Sequence, residues 1–173
     1  MTTQELAQRI FELTYLKGNF KLRSGQSSTE YFDKYRFESQ PQVLKEIAKK
    51  MAPLIPSKTQ LLAGLEMGGI PVATALSLET GIPCVFVRKQ AKNYGTCPLA
   101  EGADVSNKNV LVIEDVITTG GQVIESTEAL RKAGAQINEV LCVIYRGPEN
   151  ENPLQSVGLQ LHHLFTKTQL IKK

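Results

Sequence analysis

The sequence predicts an α/β fold with a central, mainly parallel sheet flanked by helices and a small N-terminal subregion. Short apolar runs rich in β-branched residues alternate with amphipathic stretches, a pattern that implies right-handed βαβ crossovers and a sheet covered on both faces. Residues 110–113 (VLVI) lead through an acidic, hydroxylic and glycine series straight into the amphipathic stretch 123–133, the order of strand, ligand-holding turn and helix. Finally, Glu66, Arg88, Asp115 and Arg146 all fall where expected strands end, the end at which such sheets hold ligands.

Residues 3–16 place Leu6, Ile10 and Leu13 at helical spacing and predict an amphipathic first helix. Residues 21–32 alternate polar and apolar around Ser24-Gly25-Gln26-Ser27, which predicts a hairpin; with the helix it forms the small subregion, about residues 1–40. A second helix is expected over 43–54, stopped by Pro53 and Pro56, then a strand over 61–65. The Gly68-Gly69 turn follows, and Pro71 suits the first turn of a helix over 71–79. Residues 84–87 form a strand, and 88–109 read as a polar, mobile stretch. The strand 110–113 and its helix 123–133 come next, closed by Gly134, then a strand over 139–145. All 173 residues are expected to form a single domain.

Composition narrows the class. With 42% hydrophobic and 21% charged residues the chain can bury one core. A net charge of +3 is too mild for a dedicated nucleic-acid surface but suits an anionic small molecule. Three widely spaced cysteines argue against a disulfide framework or zinc ribbon. With no signal pattern and no apolar run near the ~20 residues that span a bilayer, the expected setting is the cytosol, with neither nucleic acid nor membrane as partner. His162 and His163 lack a Cys or acidic partner at metal-ligand spacing and read as structural.

The turn after 113 carries the chemistry. Free amides at a helix start, aided by threonine hydroxyls, hold a phosphate, and glycine permits close approach. Glu114 and Asp115 would repel that phosphate, so they are expected to accept hydrogen bonds from sugar hydroxyls or to act through a cation. A phosphorylated ribose fits both halves. Neither a P-loop nor a dinucleotide fingerprint is present, since the segment 64–69 (GLEMGG) lacks the spacing.

The string IEDVITTGG resembles the phosphoribosyl pyrophosphate (PRPP) signature of type I phosphoribosyltransferases. Four more segments, KLRSGQSSTEYFD, LAGLEMGGIPVATALS, VFVRKQAKNYGT and VIYRGPE, resemble the orotate branch and extend from about Phe20 to about Glu149. The resemblance implies the type I phosphoribosyltransferase fold with an N-terminal hood, and transfer of phosphoribosyl from PRPP to orotate with Mg²⁺ as cofactor and without dedicated protein metal ligands. It implies PRPP binding by Arg88, Lys89, Lys92, Tyr94, Glu114, Asp115, Val116, Ile117, Thr118, Thr119, Gly120, Gly121 and Gln122. Lys92 and Asp115 would be the catalytic residues, and Thr118, Arg146, Tyr31 and Phe32 would hold orotate. In that branch the basic loop reaches a neighbouring subunit, which implies a homodimer with Lys92 acting in trans. The segment Glu66-Met67-Gly68-Gly69 resembles the family's pyrophosphate loop, where a non-proline cis peptide often turns amides toward the ligand.

The chain departs from the common pattern in three places. Tyr94 stands where many members have histidine, Gly68 where many bacterial members have lysine, and Arg23 where lysine is usual. The chain also ends soon after Arg146, which implies a shortened cover over the base. Two alternatives stay open at this point: a purine or xanthine phosphoribosyltransferase, which shares the signature, and a non-catalytic sensor of PRPP or nucleotides with the same fold.

Overall fold

The computed structural model describes residues 1–21, 25–89 and 99–171. Its main sheet has six strands in the order β5-β4-β3-β6-β7-β8. These are β3 (Leu61–Leu65), β4 (Cys84–Val87), β5 (Ala100–Gly102), β6 (Val110–Ile117), β7 (Glu139–Tyr145) and β8 (Gln160–Thr166). All neighbours pair in parallel except β5, which runs antiparallel to β4 at one edge. A separate antiparallel pair, β1 (Tyr15–Lys21) with β2 (Ser27–Phe32), forms the N-terminal subregion.

Alternation along the central strands sorts the core into two layers. Leu62, Leu111, Ile113, Leu141 and Val143 face α1 (Thr3–Thr14), α3 (Pro41–Met51) and α4 (Gly69–Thr80), where Leu6, Ile10, Ile47, Met51, Val72 and Leu76 complete the layer. Leu61, Ala63, Val110, Val112, Val140 and Cys142 face the other way, onto Val123 and Leu130 of α5 (Gly121–Lys132). Burial on both faces explains why β3 and β6 read as unbroken apolar runs.

Several boundaries differ from the sequence expectation. The first helix stops at Thr14, not at residue 16. Thr2 closes its start in a capping box with Glu5, but Tyr15 is already extended. From there Tyr15 and Leu16 pair with Phe32 and Tyr31, so the hairpin's first strand begins six residues before the expected 21. The stretch 88–109 contains β5, whose Glu101 lies opposite Phe86, a short edge strand without an apolar pattern to announce it. Beyond Arg146 the chain adds β8 and α6 (Lys167–Ile171). His162 and His163 lie on β8; the first meets Glu139 at 2.6 Å and the second stacks on Tyr145.

The most consequential difference concerns β6, which continues four residues past Ile113. Glu114, Val116 and Ile117 sit in register with Cys142, Ile144 and Tyr145 of β7. The two acids therefore project from a strand in the middle of the sheet, and the turn is confined to Thr118, Thr119 and Gly120. The β-branched pair Val116-Ile117 prolongs the ladder, with Ile117 buried in the core.

Candidate active site

The turn that ends β6 is held open by glycine. Gly120 has φ +76°, and a Cβ there would overlap a methyl of Leu154. α5 starts at the next residue with no side-chain cap, so among the described residues no capping side chain takes up its first-turn amides. Thr118 and Thr119 stand exposed beside them. The Gln122 side chain turns back along the helix to Ser126, at 3.2 Å. Val116 and Ile117 are already occupied: the Val116 N–H donates to Asp115 Oδ1 at 2.6 Å, and the Ile117 carbonyl accepts from the Arg146 N–H at 2.8 Å. That last bond brings the ends of β6 and β7 together and sets Arg146 beside the turn.

Glu114 and Asp115 are buried, Asp115 completely. The ammonium of Lys34 lies 2.7 Å from Asp115 Oδ2. Lys34 precedes α2 (Tyr35–Glu38), a single helical turn that also delivers the buried Glu38. Burial, reinforced by Asp115, pushes both Glu38 and Glu114 up to about 9. Burial alone would raise Asp115 as well, but hydrogen bonds from Glu114 and Glu38 and the charge of Lys34 hold it down to about 2. Near neutral pH the cluster is thus two protonated carboxyls around one carboxylate, balanced by one ammonium. With Glu38 ionised, its buried Oε1 would find no donor among the described residues, and Asp115 Oδ2 would have only the Lys34 ammonium. A proton held on Glu38 provides a donor for that cluster.

Gly68 closes the cluster from below. A Cβ on it would overlap Asp115 Oδ2 and crowd Glu38 Oε1, so glycine is what this packing requires. The Glu66–Met67 peptide is cis. Glu66 ties this loop to the next one, accepting from the Lys89 N–H at 2.5 Å, while its own N–H donates to the Val87 carbonyl. Arg88 pairs with Glu101 of β5 at 3.4 Å. Lys92 and Tyr94 lie outside the described residues, as does Arg23.

The aromatic residues expected at the base meet Arg146. Its guanidinium lies over the Phe32 ring, 4.9 Å from the centroid. Tyr31 stacks on Phe20 at 5.4 Å and is 43% exposed. Tyr31, Phe32 and Arg146 line one cleft of about 470 Å³ together with Phe11 and Tyr15. Lys167, Leu170 and Ile171 of α6 line it too, so α6 supplies a wall of the cleft. Sequence reasoning missed Lys34, Glu38 and this wall. The one available signal was Lys34 and Glu38 at i, i+4 spacing directly after Tyr31-Phe32-Asp33.

A parallel sheet with an uncapped glycine turn, paired acids on the strand before it and a basic segment nearby is the arrangement of a type I phosphoribosyltransferase. Residues 35–160 match the family model for the phosphoribosyl transferase domain. Over 165 residues the chain is 54% identical to the orotate phosphoribosyltransferase of a Nocardioides species, an alignment covering 95% of this chain and 92% of that one. The structure superposes on Mycobacterium tuberculosis orotate phosphoribosyltransferase in complex with Fe(III) dicitrate with a TM-score of 0.86 and 29% identity, covering 98% and 99% of the two chains. For the same mycobacterial enzyme in complex with PRPP the values are 0.80 and 26%, covering 97% and 98%. The chain belongs to the orotate phosphoribosyltransferase family of pentosyltransferases.

Proposed function

We propose that this chain transfers the 5-phosphoribosyl group of PRPP to N1 of orotate, forming orotidine 5′-phosphate and pyrophosphate in de novo pyrimidine synthesis. The observation that carries the proposal is the uncapped start of α5 at Gly120, directly after the buried Glu114–Asp115 pair. One end of that arrangement suits a phosphate and the other a ribose, joined by the last residues of β6 and the turn that follows it.

The first-turn amides of Gly121 and Gln122, with the Thr118 and Thr119 hydroxyls, seat the 5-phosphate. Asp115 accepts from ribose hydroxyls and is the acid suited to it, being held ionised while Glu114 keeps a proton. Arg146 and Thr118 orient the flat, anionic base, with Phe32 and Tyr31 flanking it. Departure of pyrophosphate precedes most of the new bond, so the protein stabilises charge and alignment and needs no covalent nucleophile. Arg88, Lys89 and Lys92 neutralise the leaving group, Lys92 from the partner subunit of a homodimer. In this reading the whole chain works as one domain, with about residues 1–40 as its hood.

Mg²⁺ fits the residues present. Among the described residues no group of three or more His, Cys, Asp or Glu is arranged to hold a metal, but Mg²⁺ ordinarily keeps several waters and needs at most one or two carboxylates beside substrate phosphates. It would be held mainly by PRPP oxygens and water, with Glu114 and Asp115 reaching it through them, and would supply positive charge to the pyrophosphate. No helix among the described residues is long and apolar enough to cross a membrane; the proposed location is the cytosol, where Cys84 and Cys142 stay free thiols.

The test mixes the protein, PRPP and Mg²⁺ with orotate, uracil, adenine or xanthine and follows release of pyrophosphate. Orotate alone is consumed rapidly; preferential use of a purine, or turnover of none, refutes the proposal.

A further inference from the structure

We propose that Lys34 is a pyrophosphate-binding residue of this site, stored on Asp115 until PRPP arrives; this rests on the reading of the site as a PRPP site. The lysine's ammonium touches the same Asp115 oxygen that occupies the space above Gly68. It therefore lies at the face of the Glu66–Gly69 loop, where α4 begins. The loop brings no cation of its own. A side chain at residue 68 has no room, and Glu66, the one charged residue of the loop, is an acid. A diphosphate brought there meets a carboxylate and some amides, and needs a counter-charge.

Lys34 can supply it without rebuilding the fold. Its main chain is fixed, since the Asp33 N–H donates to the Thr14 carbonyl and the Lys34 carbonyl accepts from Phe37 and Glu38. Its side chain remains about one-third exposed on a flexible four-carbon stem. Arg88 is already paired with Glu101. When ribose hydroxyls donate to Asp115, that carboxylate keeps its hydrogen bonds while the ammonium swings the short distance to phosphoryl oxygens. Lys34 thus serves in turn as the counter-ion of a buried acid and as a ligand for the leaving group, from the same subunit as the phosphate cradle.

The discriminating experiment is titration calorimetry on Lys34→Gln with Mg²⁺–pyrophosphate and, separately, orotidine 5′-phosphate, which carries no pyrophosphate. Affinity for pyrophosphate falls by roughly tenfold to a hundredfold, affinity for the nucleotide changes less than about threefold, and Lys34→Arg restores most of the loss. Equal weakening of both ligands shows that Lys34 merely positions Asp115 and overturns the proposal, as does no weakening of either. If Lys34→Gln does not fold, the wild-type protein decides. Pyrophosphate, and not orotidine 5′-phosphate, protects Lys34 from acetylation as read by mass spectrometry; equal protection by both, or by neither, rejects the proposal. A wild-type protein that takes up no PRPP at all fails the site reading instead.

Discussion

At the scale of single residues the site is governed by where protons reside. Glu38 carries a raised value because burial disfavours its charge and Asp115 beside it is already ionised. A carboxyl raised in the folded state contributes stability that is complete below its ordinary value of 4.5 and is lost as pH climbs toward 9. Asp115 behaves oppositely: its contribution is present above 3.8 and is lost as pH falls toward 2. Glu38→Gln removes the first dependence while keeping an amide donor for Asp115. Relative to wild type, the variant therefore gains stability between pH 5 and pH 8, by up to about 4 kcal/mol for one proton over three pH units, or roughly 8–16 °C in Tm for a chain of this size. Thermal unfolding at both pH values checks this; a gap that does not change with pH shows that Glu38 holds no proton. Lys92 gives a kinetic counterpart. If it meets charge that grows as pyrophosphate leaves, Lys92→Ala lowers kcat by about 100-fold or more while KM for PRPP moves only a few fold. Equal losses in both parameters contradict that role.

At the scale of elements, the strand-to-helix unit 110–132 joins sequence, fold and site. Its existence was legible because apolar β-branched residues, glycines and helix formers follow one another without interruption. Its division was not. Val116 and Ile117 read as part of a turn when taken with the glycines, and only pairing with Ile144 and Tyr145 shows that the strand continues beneath the acids. The same competition between local pattern and tertiary pairing explains Tyr15 and Leu16, which have helical spacing with the residues before them but cross-strand partners in β2. β5 has three residues and β8 mixes histidines with leucines, so neither shows clean alternation. Lys34 and Glu38 were visible as a charged pair, but that they meet Asp115, about 80 residues away, follows only from the return of the chain through α2. Gly120 tests the unit as a whole. Gly120→Ala places a side chain at φ +76° and against Leu154, costing about 1–2 kcal/mol from backbone conformation alone. Tm falls by several degrees and KM for PRPP rises about tenfold, while KM for orotate is less affected. An unchanged KM for PRPP argues that the phosphate is not seated on this turn.

At the scale of the whole molecule, the site is assembled from distant parts of the chain. The N-terminal segment supplies Lys34, Glu38 and Phe32; the sheet supplies Asp115, the turn and Arg146; α6 walls the cleft. The root of the basic segment is fixed by Glu66 and Glu101, so Arg88 and the main chain of Lys89 are engaged at that end of the sheet. If that segment completes a neighbour's site, two defects in separate subunits must complement each other. Lys92→Ala and Asp115→Asn are each close to inactive alone, one lacking the lid charge and the other the ribose contact. When the two are mixed and allowed to exchange subunits, half of the dimers become mixed. In each mixed dimer one site combines an intact body from the first variant with an intact lid from the second, while the other site carries both defects. Activity then recovers to roughly a quarter of wild type, the share of sites made whole by random pairing of a two-fold dimer. A lid that acts within its own subunit recovers nothing, because each site keeps its own defect whatever its partner.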